Sequence, residues 1–315
     1  MRHFFNKSQS KRRFGHLSVV FGITLGILAF SACDDNETDD KLGTVSDANI
    51  NANVLTKAEY GRLEFPRLKD SDENIVVTYK AEEKYGINFC VEWDKKRKTQ
   101  RWSCYQIYPQ NSEINTTRYY SDDEQYPYDK YNDNKEVLPY ILMPDPYKGS
   151  GFQHGHIVPS QDRLYSEKAN IQTFYMTNMQ PQYANFNSGI WLNMENQIRT
   201  WNSDRFRDTL YVCKGGTIDK GDQILKTTDK GLIVPKYFFM AVLSKNSDPV
   251  YRGYKAIGFW VEHSNKDLKN DKLTKYVVSI KELEELTGID FFCNLPDDIE
   301  KVVESRVAPL AWGLK

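Results

Sequence analysis

Net charge is the first thing this sequence lacks. Its 42 lysines and arginines stand against 43 aspartates and glutamates, leaving −1 at neutral pH. No bulk cationic field therefore announces a polyanionic partner, and a nucleic acid would have to be met by a local cationic site. Internal repeats are absent too, which excludes solenoid and propeller arrays. The one sustained apolar run, residues 17–30, is too short to span a bilayer comfortably. What is present is a large store of tyrosine (20) and phenylalanine (16) within a 40% apolar fraction, enough for a sizeable core. Length alone allows one large domain or two ordinary ones.

The apolar run belongs to a three-part N-terminus. Arg2, Lys7, Lys11, Arg12 and Arg13 precede it and Ser31-Ala32-Cys33 follow it, the layout of an export signal with small residues before its cleavage point. Cys directly after Ser-Ala resembles a bacterial lipobox, with Phe30 where Leu is usual. The expectation is a lipoprotein signal peptide over 1–32 and a lipidated Cys33, giving a membrane anchor; an ordinary signal peptide with a chance cysteine is the alternative. Losing the five cations takes the net charge to about −6. Residues 33–56 are rich in Asp, Asn, Thr and Ser, with Asp34, Asp35, Glu37, Asp39 and Asp40 directly behind Cys33. They read as an acidic, solvated tether. An acidic run in that place resembles surface-export signals of some Gram-negative lipoproteins, which points to the outer membrane or cell surface; a plain linker has the same composition. The folded domain is expected over 57–315.

Four further cysteines, Cys90, Cys104, Cys213 and Cys293, make an even set in an oxidising compartment. Ile87, Phe89, Val91 and Trp93 alternate with polar neighbours and 102–108 returns, so the flanks of the basic run 94–101 form a hairpin. Cys90 and Cys104 are equidistant from its centre, within disulfide reach across an antiparallel pair. Cys213 and Cys293 then pair by elimination. Free buried thiols are the alternative for both pairs.

Beyond the hairpin, residues 109–150 are Tyr-, Asp- and Pro-rich without periodicity, a long loop of the kind that is functional or mobile. Residues 156–158 read as a short strand stopped by Pro159, 173–179 as a second strand, and 189–202 as a helix. Runs at 209–213, 237–243 and 256–261 are β-rich. Ser279 with Glu282 forms a capping box opening a helix that Gly288 closes, and a last helix starts near Pro296. The irregular alternation predicts an α+β fold, a central antiparallel sheet with flanking helices.

The chemistry concentrates in residues 151–199. A histidine has the side chain suited to deprotonating water near neutral pH. Mg²⁺ keeps most of its waters, so one amide and a nearby carboxylate can serve where a ligand cluster is absent. Asn187, Trp191, Glu195 and Arg199 are four apart and line one face of a regular helix. His154 and His156 point the same way on a strand, which would suit a zinc pair in a zinc hydrolase, but no third ligand stands at a sensible spacing. Asp162-Arg163 reads as a structural ion pair, and Trp191 as helix packing. The tyrosines at 119, 120, 126, 128 and 131 either pack on themselves or stack bases.

Read together, these residues resemble the DNA/RNA non-specific endonuclease family, which includes secreted bacterial nucleases and mitochondrial endonuclease G and has a ββα-metal fold. The family's Asp-Arg-Gly-His falls on Gln153-His154-Gly155-His156. Its Pro-Ser-x-Asp-Arg is intact at 159–163, and its Thr-Asn-x-x-Pro-Gln at 177–182. Asn187, Gly189, Trp191, Glu195 and Arg199 follow in order, with Trp102 upstream and 287–292 with Leu295-Pro296 downstream. The likeness covers most of residues 80–305.

The resemblance implies a Mg²⁺-dependent endonuclease, with Mn²⁺ able to substitute, that cuts DNA and RNA with little sequence preference. His156 would be the general base, Asn187 the direct metal ligand, and Glu195 the group orienting metal-bound water. Asn178 would steady the site, and Arg199 would contact phosphate or buttress Glu195. The upstream phosphate-neutralising arginine would be Arg118, or else Arg101. The departure is at Gln153-His154, where Asp-Arg is usual. His154 would then donate to phosphate in place of an always-charged, bidentate arginine, giving a slower enzyme or a shifted pH optimum. A non-catalytic surface lipoprotein that binds nucleic acid or glycan through its aromatic loop is the alternative.

Overall fold

The computed structural model describes residues 50–51, 57–120 and 137–315. The expected signal peptide, Cys33, nearly all of the expected tether, and tyrosines 126, 128 and 131 lie outside them. Asn51 already belongs to the fold. It is buried, its Nδ2 donates to the carbonyls of Tyr60 and Pro66, and its Oδ1 accepts from Leu68 N–H.

In chain order the elements are β1 (Asn74–Lys80), β2 (Ile87–Asp94), β3 (Thr99–Ile107), β4 (Gln153–His156), α1 (Glu167–Gln172), β5 (Met179–Gln182) and α2 (Leu192–Trp201). There follow β6 (Thr209–Gly216), β7 (Ile224–Thr227), β8 (Ile233–Pro235), β9 (Tyr237–Asn246), β10 (Gly253–Glu262), β11 (Val277–Val278), α3 (Ile280–Thr287) and α4 (Asp297–Glu304). Seven strands form one antiparallel sheet in the order β1-β2-β3-β6-β9-β10-β11, while β4 pairs with β5 and β7 with β8. The α+β expectation holds, with a sheet wider than the β-rich runs suggested.

The sheet is covered on both faces. Phe238, Met240 and Val242 of β9 join one core with Ile190, Trp191, Met194, Ile198 and Trp201, the layer built around α2. Phe239, Ala241 and Leu243 alternate into a second core with Ile280, Leu283, Phe291 and Val303, the layer of α3 and α4. Burial on both sides is why 237–243 is a continuous apolar run and not an alternating one. Ser279 caps α3 by accepting from Glu282 N–H, and Gly288 closes it at φ 74°, as the capping signals predict.

The cysteines correct the disulfide expectation. Register sets Cys90 opposite Cys104, as the hairpin predicts, but the row continues to Cys213 on β6. All four are buried free thiols. Cys90 Sγ donates to Thr78 Oγ1 at 3.6 Å. Cys293 stands apart, its Sγ 3.8 Å from the carbonyl of Phe65, so pairing by elimination with Cys213 fails. Burial pushes the Cys104 and Cys213 thiols well above their ordinary value, which keeps them unreactive.

His263 ties the end of β10 to the chain leaving β5. Its Nδ1 meets the Pro235 carbonyl at 2.9 Å and its Nε2 accepts from Tyr183 N–H at 2.8 Å. Only the neutral ring satisfies both, and burial lowers its pKa to about 4. The unfolded chain takes up this proton near pH 6.5 and the folded chain does not. Stability is therefore full above about pH 6.5 and falls as the pH drops toward 4, by up to about 3 kcal/mol. Urea melts across that range should show the loss, and His263→Gln should flatten it.

Candidate active site

Four segments converge on one open cavity of about 620 Å³. Arg118 comes from the loop after β3, His156 from the end of β4, Ser160 and Gln161 from the turn behind it, and Asn187, Glu195 and Arg199 from α2 and its lead-in. The two short strands differ from the sequence reading. The first ends at His156 where 156–158 was expected, and the second is Met179–Gln182, where 173–179 was expected. Residues 173–178 are instead the C-cap of α1 at Thr173, a turn, and a single 3-10 turn over Met176–Asn178.

Gly155 separates the two histidines because nothing larger fits. A Cβ there would overlap the Gln182 side chain and come within 2.6 Å of the Gln180 carbonyl. Gly155→Ala must spread β4 from β5, and its expected result is a protein that loses activity together with thermal stability, by roughly 1–3 kcal/mol or more; differential scanning calorimetry checks it.

His156 sits edge-on to Phe174, with ring centroids 4.8 Å apart. Its Nε2 has no hydrogen-bond partner, and a hydrogen bond to the His154 backbone engages the ring, which by exclusion uses Nδ1. The Nε2 lone pair is thus left without a partner, though the atom itself is buried. Burial first, and the Arg118 cation second, lower the pKa of His156 to about 3, so the ring is neutral at physiological pH. Arg118 lies over the same Phe174 ring, 4.8 Å from its centroid. Phe174 is a shared platform for the histidine and the cation that composition did not reveal.

Asn187 lies in a wide π-type turn, Phe186–Trp191, interrupted at Gly189 (φ −108°, ψ −110°), and regular α-helix begins only at Leu192. The four-residue stepping from 187 therefore assumed a regularity that the backbone lacks, yet Asn187, Glu195 and Arg199 still line the same cavity. Asn187 Nδ2 donates to Gln153 Oε1 at 2.9 Å, which leaves its carbonyl oxygen as the free end. A neutral oxygen donor suits a hard cation that retains its waters. Among the described residues no three His, Cys, Asp or Glu side chains gather to hold a metal.

Glu195 is buried and bonded through Oε1 to Lys214 Nζ at 2.9 Å. Burial raises its pKa above the ordinary carboxylate value, and Lys214 opposes the rise. Arg199 supports its ionised form through charge alone. Arg199 pairs with Asp162 at 2.8 Å and donates to Asn196 at 2.7 Å, and Tyr105 O–H holds the other oxygen of Asp162. The Asp162-Arg163 ion pair is corrected accordingly. Arg163 is wholly buried and donates to the backbone carbonyls of Asp162 and Gln106.

Asn178 steadies the backbone next to the site, and two further residues, His154 and Arg101, fall differently from expectation. Asn178 is wholly buried and outside the cavity lining. Its Oδ1 accepts from Val158 N–H, and its Nδ2 donates to the carbonyls of Val158 and Thr173, all at 2.8–2.9 Å. His154 turns to Asp145 at 3.1 Å and stacks on Tyr147, with centroids 4.2 Å apart, and it does not line the cavity. Its ring has a carboxylate partner where a phosphate contact was expected, and His154→Gln should leave the pH–rate profile in place. Arg101, the fallback phosphate arginine, is buried between Glu92 at 2.9 Å and Asp219 at 2.5 Å. That leaves Arg118 as the cavity's upstream cation. Lys214 was missed entirely. The signal was a lysine in phase with Leu210 and Val212 on the inward face of a strand.

A two-stranded β unit followed by a helix, with a histidine at the end of the first strand, an amide in the turn leading into the helix and a carboxylate on it, defines the ββα-metal class. The fold comparison agrees. A solved EndoG, in a complex with EndoGI that concerns EndoG inhibition, superposes with a TM-score of 0.57 at 15% identity over 74% of this chain and 91% of that one. The chain belongs to the DNA/RNA non-specific endonuclease family, whose description it matches over residues 73–298. It is similar to a nuclease of Nostoc sp., at 34% identity over 172 residues, 53% of this chain and 60% of the relative. It is also similar to the human mitochondrial nuclease EXOG, at 27% identity over 216 residues, 66% of this chain and 56% of the relative. The matched regions thus span less than two thirds of those relatives' lengths.

Proposed function

We infer that this protein is a metal-dependent endonuclease that hydrolyses phosphodiester bonds of DNA and RNA with little sequence preference. The observation that carries the reading is the unpartnered Nε2 of His156, a residue lining the cavity that Arg118, Asn187, Glu195 and Arg199 also line. An in-line hydrolysis needs a water deprotonated on one side and negative charge neutralised on the other. His156 takes the proton. Docking of the phosphodiester against Arg118 cancels the charge that helps to depress the histidine's pKa, so the base strengthens as substrate binds. Arg118 and Arg199 neutralise non-bridging oxygens, and Glu195 orients water in the cavity.

Asn187 would hold the metal through its carbonyl oxygen. Mg²⁺ is the ion such a donor suits, with Mn²⁺ able to substitute, and its chemistry there is neutralisation of charge on phosphoryl and leaving oxygens. Gln153 orients Asn187, and Asn178 fixes the backbone beneath His156. Side chains facing phosphate position a substrate without reading bases, which supports the broad preference.

Incubation with supercoiled plasmid and with single-stranded RNA in Mg²⁺ should cleave both. Retention of either nucleic acid without cleavage, in Mg²⁺ and in Mn²⁺ alike, would establish the binding-protein alternative instead.

The N-terminal pattern supports export as a lipoprotein anchored through Cys33 to the outer membrane or cell surface. Radiolabelled palmitate should enter wild-type protein and not Cys33→Ala; equal labelling of both would refute the anchor.

A further inference from the structure

We propose that Lys214 is a positioning residue for this reaction, holding the Glu195 carboxylate as an anion with one oxygen tied back and the other presented to the cavity. The inference rests on the role given to Glu195 above.

Lys214 occupies the inward phase of β6, with Leu210 and Val212 before it, and is fully buried. A buried ammonium costs several kcal/mol unless paired, and a well-packed apolar residue usually serves stability as well. Its geometry supplies a reason for its presence. Nζ is 2.9 Å from Glu195 Oε1 and 4.8 Å from the centroid of the Trp191 ring. The Trp191 indole N–H in turn donates to the backbone carbonyl of His156 at 3.2 Å. One buried cation thus underlies both arms of the site. It bonds the carboxylate directly and packs on the ring that pins the strand carrying the base.

The other charges facing this carboxylate are Asp162, which disfavours its ionised form, and Arg199, which favours it and is tied to Asp162. Lys214 makes the direct bond. Without it, Glu195 would be a buried carboxylate beside a second carboxylate, free to rotate or to pick up a proton.

The test is a double-mutant cycle in the full chain with Lys214→Met, Glu195→Gln and the pair together. It is read as kcat and KM on DNA and as Mn²⁺ affinity by titration calorimetry. Lys214→Met is expected to lower kcat roughly 10- to 100-fold with little change in KM, and to weaken Mn²⁺ binding. The pair should be no worse than Glu195→Gln alone, because the lysine acts through the carboxylate. Should Lys214→Met fail to fold, comparison of the pair, which buries no unpaired charge, with Glu195→Gln decides alone. Wild-type kcat in folded Lys214→Met, or effects that multiply in the pair, would overturn the proposal and leave the role of Glu195 intact. An unchanged kcat in Glu195→Gln would overturn that role and this proposal with it.

Discussion

His156→Ala should cleave plasmid about 10²- to 10⁴-fold more slowly than wild type while folding normally, the loss typical of removing a general base. The normal fold follows from the contacts. The ring makes no hydrogen bond through Nε2, meets Phe174 edge-on, and is engaged otherwise by one hydrogen bond to the His154 backbone. The backbone of residue 156 is held independently, by the Trp191 indole and by pairing with Met179. Circular dichroism and Tm should therefore match wild type as initial rates on supercoiled plasmid collapse. A His156→Ala protein that cuts at the wild-type rate would remove the histidine from the chemistry, and one that unfolds would make its role structural.

The second large effect is on stability. Asn178→Ala should lower the free energy of unfolding by roughly 3–5 kcal/mol, because its side chain satisfies one backbone N–H and two backbone carbonyls that water cannot reach. For a domain of this size that is a fall in Tm on the order of 10 °C. Activity should fall with it even below the new Tm, since Val158, the main partner of Asn178, lies two residues from the base. Asn178→Asp should be no milder, since it keeps the acceptor for Val158 N–H but sets a buried carboxylate oxygen against the carbonyls of Val158 and Thr173. A Tm within a degree or two of wild type, measured by scanning calorimetry, would show that other contacts hold this loop.

Much of the site was legible because its residues come from one short stretch of sequence. His156, Asn187, Glu195 and Arg199 were read from spacing and resemblance, and they line one cavity. What was not legible depends on long-range packing. Residues 173–179 carry strand formers, Thr173, Phe174 and Tyr175, but Asn178 and the end of α1 bend them into turns, so tertiary contacts override propensity. Arg101 sat beside a basic turn and looked available, and only the distant Asp219 reveals that it is consumed in a buried pair. Lys214 lies 19 residues from Glu195 on another element. The sheet was underestimated at its edges, because β1 is buried only at Val77 and Tyr79 and β11 is two half-buried residues, too little pattern to mark a strand. The cysteines show the limit of pairing by counting, since β6 lies beside β3 and puts Cys213 next to Cys104.

The proposed reaction needs one hydrated metal ion, held by Asn187 without a cage of charged ligands, beside a histidine base. Cleavage of supercoiled plasmid by the wild-type protein should be followed in Mg²⁺, then in excess EDTA, then after Mg²⁺ or Zn²⁺ is restored. Nicking in Mg²⁺, arrest in EDTA and recovery with Mg²⁺ are expected. Cleavage that continues in EDTA, or that returns with Zn²⁺ alone, would rule that chemistry out.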